Sequence, residues 1–318
     1  MAAPNVIPAV MRSKLVLEAA SQLVETSTWK YKQSIVTMRV QGDQSQAITI
    51  LASDAPPALE EVASGNADIA IINPTGVLTE AYLGKGPFKN PMPFRVIAVM
   101  PSYDQLLFGV TKASGITSLR DIKEKKYPLK VSLRGQRDHS VHMVVDQVLA
   151  AAGFTLDDIN SWGGKVRYDN GLPDVSNRIG AIERGEIDAI FDEAVIRWAD
   201  DASRLGMRIL PLDNEILTNM ESLGFRRGLL DKASHPGLEE DVPTLDFSGF
   251  AVYTRADLPD DVVRDFCAAL EVRRDLMPIE DGTAIPLERM AKDTPEGPLD
   301  VPLHPAAEAY WKERKYIP

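Results

Sequence analysis

Apolar residues recur every four positions across residues 11–25, with Leu15, Ala19 and Leu23 in line and Val16, Ala20 and Val24 beside them. That spacing predicts an amphipathic helix. Residues 34–40 (SIVTMRV) are rich in β-branched side chains and predict a strand, and residues 47–52 predict a second. Pro56 and Pro57 open a short helix that runs to Ser64, since proline is tolerated in a first turn. Gly65 ends it, and the short apolar run 67–72 (ADIAII) predicts a buried strand. Further on, LKVSL (129–133) reads as a strand, RGQRDHS as a loop, and 139–152 as a helix ending at Gly153, with Val141, Val144, Val145, Val148 and Leu149 on its apolar face.

One pattern occurs twice. ALEEVASGNADIAIINP, starting at Ala58, resembles RIGAIERGEIDAIFDEA, starting at Arg178. In each a helix ends at glycine (Gly65, Gly185), an aspartate follows three residues later (Asp68, Asp188), and an apolar strand leads into a polar loop. Two well-separated copies imply two similar lobes; the alternative is that such units recur in any α/β protein. The class is α/β in either case.

The 318 residues and 44% hydrophobic content suffice for two cored lobes. The net charge of −11 argues against nucleic acid as a partner, which would need a basic stripe. A few buried arginines could still make one pocket attractive to a small anion. The lone cysteine, Cys267, excludes an intramolecular disulfide and sits in an apolar helical stretch, where it reads as core. His139, His142, His235 and His304 come with no metal-binding spacing, so no metal is expected. No GxSxG elbow, P-loop or dinucleotide fingerprint occurs, so no catalytic residue and no cofactor is assigned. No stretch is apolar enough to span a membrane, so the protein is not expected to be membrane-embedded. No export signal opens the sequence as written, which reads as cytoplasmic, or as periplasmic if a signal has been removed.

The chain resembles the type II periplasmic-binding-protein fold, and within it the TAXI family, the solute receptors associated with TRAP transporters. The resemblance is carried by SGNADIAIINP (64–74), SLRGQRDHSVHMVVDQVLAAAGF (132–154), GEIDAIFDEA (185–194) and FAVYTRADLPDDVVRDFCAAL (250–270), over roughly residues 45 to 275. It implies two lobes, each a mixed sheet covered by helices. Lobe one would hold residues 1–108 and 250–318, and lobe two residues 109–249. Crossing segments are expected near 105–111 and 246–254, with the ligand cleft between the lobes. It further implies a small anionic ligand, most simply a carboxylate, and transporter membrane subunits as partners. The chain departs from the family in opening with a helix rather than a strand and a glycine-rich loop. Enzymes with this fold, such as aromatic-acid decarboxylases, and cytoplasmic ligand sensors are the alternative readings.

Ligands in open α/β sheets bind beyond the carboxyl ends of strands. That rule selects Asn73, Pro74 and Thr75 after the first-lobe strand, and Asp192 and Glu193 after its counterpart. Arg134 follows a strand and precedes a helix N-terminus, where a guanidinium could grip a carboxylate through two hydrogen bonds. Gln136, Arg137, His139 and Ser140 share that loop, and either Ser140 or Asp138 is expected to cap the helix. Glu193 is expected beside Arg134. Tyr103 and Asp104 precede the first crossing, and Asp246, Phe247 and Ser248 begin the second, with core packing the alternative for Phe247.

Overall fold

The computed structural model describes residues 9–25, 33–40, 43–53, 55–277 and 282–318. The strands are β1 (Ser34–Val40), β2 (Asp43–Ala52), β3 (Ile69–Ile72), β4 (Phe94–Met100), β5 (Gln105–Thr111), β6 (Lys130–Arg134), β7 (Lys165–Asp169), β8 (Ala189–Asp192), β9 (Met207–Ile209), β10 (Arg227–Leu230), β11 (Val242–Asp246) and β12 (Phe250–Arg255). They form two sheets. The first has the order β1-β2-β3-β12-β4, and the second β10-β11-β5-β8-β6-β7, with β9 paired to β5. Each sheet mixes parallel and antiparallel pairs. The fold is therefore two-lobed, with each mixed sheet covered by helices.

The chain passes between the sheets twice, once just before the expected stretch 105–111 and once inside the expected stretch 246–254. Residues 105–111 lie wholly in the second sheet as β5, and residues 250–255 lie in the first as β12. The passages are the short stretches 101–104 and 247–249. The apolar run QLLFGV reads as a crossing strand, yet it pairs with β8, β9 and β11 at once and is fully covered.

The repeated pattern builds the same local structure in both lobes. Gly65 and Gly185 hold the left-handed conformation, at φ +82° and +67°, where glycine carries no steric penalty. Asp68 N–H donates to Thr49 O at 2.9 Å, and its carboxylate accepts from Thr49 N–H at 2.8 Å. Asp188 N–H donates to Lys130 O at 2.8 Å, and its carboxylate accepts from Lys130 N–H at 3.2 Å. Each aspartate thus fastens its strand to a parallel neighbour, β2 in one lobe and β6 in the other. Replacing either with alanine should leave one strand N–H without its acceptor and cost about 1 kcal/mol. Urea denaturation of the two single variants checks this, with similar losses expected for both.

Apolar faces are buried where the helices pack on sheets: Leu59 and Val62 in helix Pro57–Ala63, and the five predicted residues of helix Ser140–Ala152. Cys267 is buried in helix Asp260–Arg273, and burial pushes its thiol up to about 12. Helix Ala9–Glu25 forms as its periodicity predicts, but Leu15 and Val16 remain 72% and 64% exposed. Periodicity reports that an apolar face exists and not that the chain itself covers it. No described helix is long and apolar enough to cross a membrane.

Candidate functional site

The strand directions bring two sets of loops face to face. In the second sheet β6, β7 and β8 are parallel, and β5 runs against both β8 and β11. The carboxyl ends Arg134, Asp169, Asp192 and Asp246 therefore share one edge with the start of β5. In the first sheet the ends of β3 and β4 share an edge with the start of β12. Both passages run between these two edges, so the loops after β3, β6, β8 and β11 meet at the junction of the lobes.

At that junction lies a buried charged cluster. Arg134 is 3% exposed, and Arg178 and Asp192 are fully buried. Arg134 donates to Asp192 through Nε at 3.2 Å and Nη2 at 2.8 Å, and Nη2 also pairs with Glu193. Arg178 pairs with the other Asp192 oxygen and donates to Ser132 Oγ at 3.1 Å and Gly171 O at 3.2 Å. Burial works against ionising Asp192, but the two guanidiniums overcome it and hold the carboxyl below its ordinary value. Asp104 is pushed the other way, to about 7, by burial. Its oxygens accept from the backbone N–H groups of Ala194 and Val195, both at 2.9 Å. That contact ties the first passage to the start of helix Val195–Arg204. Burial likewise raises Asp246 to about 6, against hydrogen bonds from Ser248 and Gln105.

Most of the candidate residues converge here, though several do work that the sequence does not foretell. The cap of helix Ser140–Ala152 is His139, whose Nδ1 accepts from Val141 N–H at 3.1 Å, rather than Asp138 or Ser140. Those two are drawn to distant partners. Ser140 Oγ donates to Asn73 O at 2.5 Å, and Asp138 accepts from Gln33 Nε2 at 2.9 Å. Asn73 Nδ2 donates to the carbonyls of Phe247 and Gly249, and Thr75 Oγ1 to that of Ser248, which ties the β3 loop to the second passage. Pro74 occupies the cap position of helix Thr75–Leu83. Gln136 O meets His142 Nε2 at 2.9 Å. Arg137 is exposed and stacks on the Tyr168 ring, with Cζ 3.4 Å from its centroid. Tyr103 OH donates to Leu229 O at 3.3 Å from the exposed rim. Phe247 is fully buried in the apolar core, so its side chain forms the floor beneath the passage rather than a wall facing solvent.

Sequence reading misses Arg178 and Ser132 as members of this cluster. Arg178 stands at the head of the second repeat as an ordinary charged residue, and only the fold shows it turned inward. Among the described residues, no group of His, Cys, Asp or Glu is arranged to hold a metal ion.

The lobes are closed on each other. Besides the Ser140–Asn73 and Gln33–Asp138 bonds, Gln147 Nε2 donates to Glu80 Oε1 at 2.5 Å. Arg226 forks onto Asp300 at 2.8 and 2.6 Å. Gly76 faces the Phe225 ring so closely that an added Cβ would lie 2.5 Å from it. One apolar cluster runs through both lobes. A separate concavity of about 260 Å³, lined by Lys112, Met207, Arg208 and Leu238, opens at the opposite end of β5, where Thr111 pairs with Met207. It is therefore distinct from the junction.

A model of the NMT1-like family matches residues 31–314 of the chain. Among solved structures, the chain is similar to the alkanesulfonate-binding protein SsuA from Xanthomonas axonopodis pv. citri bound to MOPS. The identity is 16% over 69% of this chain and 62% of that one, with a TM-score of 0.31. It is similar also to the glycine/betaine/L-proline-binding protein ProX from Borrelia burgdorferi, at 16% identity over 68% and 66% of the two chains and a TM-score of 0.38. In both cases the match spans just under two thirds of the other chain's length. At this identity and superposition no residue role carries over from them. No curated protein matches the sequence significantly.

Proposed function

The chain belongs to the NMT1-like family, and on that premise we propose that it is a solute-binding protein which clamps a small anionic molecule, a carboxylate by preference, between two hinged lobes. The TAXI subtype, a TRAP-transporter membrane partner and the division into lobes at the two passages belong to the same proposal. The observation that carries it is one nearly buried guanidinium, that of Arg134, held by Asp192 and Glu193 at the junction of the lobes. A guanidinium keeps its charge when desolvated and matches a carboxylate with a planar fork.

On this reading Glu193 stands where a ligand carboxylate would bind. It pairs with Arg134 Nη2, and its side chain keeps 10% exposure, whereas Asp192 has none. An incoming anion displaces Glu193 while Asp192 continues to orient the guanidinium. Glu193→Gln should therefore tighten binding of a small carboxylate by roughly tenfold, since the competing charge is gone. Calorimetry of wild type and variant against a panel of mono- and dicarboxylates, sulfonates and amino acids tests this. Weaker binding in the variant would show Glu193 to be a ligand contact. Failure of the wild type to bind any member of the panel would contradict the anionic reading.

A further inference from the structure

Glu80 and Gln147 meet across the lobes, away from the Arg134 cluster. Glu80 lies in helix Thr75–Leu83, which packs on the first sheet, and Gln147 lies in helix Ser140–Ala152 on the second. Glu80 is fully buried. Gln147 Nε2 donates to Glu80 Oε1 at 2.5 Å, while Glu80 Oε2 and Gln147 Oε1 are both buried without a hydrogen-bond partner. Two acceptor oxygens on two paired groups are a costly arrangement, because each buried polar atom without a partner loses its hydration for nothing. One proton removes the conflict. Placed on Glu80 Oε2, it turns that atom into the donor that Gln147 Oε1 lacks and closes a two-bond ring between acid and amide.

We infer that Glu80 and Gln147 form a neutral acid–amide latch between the lobes, and that closing the lobes takes up a proton at Glu80. The titration of Glu80 agrees: burial raises it from 4.5 to about 7, opposed only by the Gln147 hydrogen bond. Other titratable groups stand on the elements around it: Lys85 and Lys89 in the following loop, His142 and Asp146 on the Gln147 helix, and Glu215 and Glu221 on helix Asn214–Leu223. None of them enters among the causes of the shift.

The sign follows from linkage. A carboxyl that binds its proton more tightly when closed favours closure fully at pH below its free value. That contribution is lost as pH rises through the window from 4.5 to about 7. The latch rests on the reading that the lobes open, but the protonation of Glu80 can be tested without any ligand.

Infrared spectra of the full chain at pH 6 should contain a protonated-carboxyl C=O band that is missing in Glu80→Gln. Asp104, Asp146 and Asp246 are also raised, but all three are present in the two proteins and cancel in the difference. In Gln147→Leu the Glu80 band should move, because the acid has lost its amide. A difference spectrum without the band, or a band indifferent to Gln147→Leu, overturns the latch. Spin labels, one on each lobe, read the consequence. From pH 5 to pH 8 the opening equilibrium should rise by up to about a hundredfold in wild type and stay flat in Glu80→Gln. A flat response in both proteins overturns the proton coupling, whatever solute the protein binds.

Discussion

Replacing Arg178 with alanine is expected to destabilise the protein by about 3–5 kcal/mol, the cost of leaving a buried carboxylate short of its partner. Arg178 is fully buried, and it reaches Asp192, Ser132 and Gly171 from the loop before helix Ile179–Glu183. Its loss leaves the equally buried Asp192 with Arg134 as its remaining cation in this cluster, and opens a void where the side chain was. Arg178→Met refills much of the void without restoring the charge, so the loss common to both variants measures the electrostatic part. Urea denaturation followed through tryptophan emission checks this, since Trp198 packs in the apolar cluster beside β8. A loss below about 1 kcal/mol in both variants would mean that Asp192 protonates and needs no cation.

Arg134→Ala is expected to cost stability and binding together. Its guanidinium bridges Asp192 and Glu193 at 3% exposure, so alanine removes a charge from a buried cluster as well as the proposed anchor. Truncating one member of a buried, hydrogen-bonded charge pair costs about 2–5 kcal/mol, which predicts a fall in carboxylate affinity of at least roughly tenfold. Arg134→Lys should recover part of the stability but little of the affinity, because an ammonium cannot span both carboxylates in one plane. Calorimetry and thermal melting of the two variants separate the effects. Unchanged carboxylate affinity in the alanine variant would place the anion site elsewhere.

The local architecture was legible in the sequence because local forces dictate it. The apolar stripe from Val141 to Leu149 predicts its helix, and the Gly65–Asp68 and Gly185–Asp188 spacings predict two equivalent helix-to-strand joints. The polar assignments were less legible because distant partners decide them. Asp138 and Ser140 are both favoured caps, yet one is claimed by Gln33 and the other by Asn73, and His139 takes the position. Phe247 reads equally as a ligand contact or as core, and the fold decides for the core: its side chain turns inward and its carbonyl serves Asn73. Arg178 and Asp192 lie only 14 residues apart, yet nothing in that spacing says that both are buried.

The central claim is that solute is held by closure of two lobes about the passages 101–104 and 247–249. It is tested most directly by the distance between spin labels at Glu60→Cys on the first lobe and Glu124→Cys on the second. Both positions are exposed, and the buried Cys267 should escape labelling. Without ligand the distribution should hold open and closed populations. With a saturating carboxylate that calorimetry shows to bind, it should collapse to the closed one, as differential affinity for two states requires. A single distance that does not respond to a bound ligand would contradict the hinged clamp.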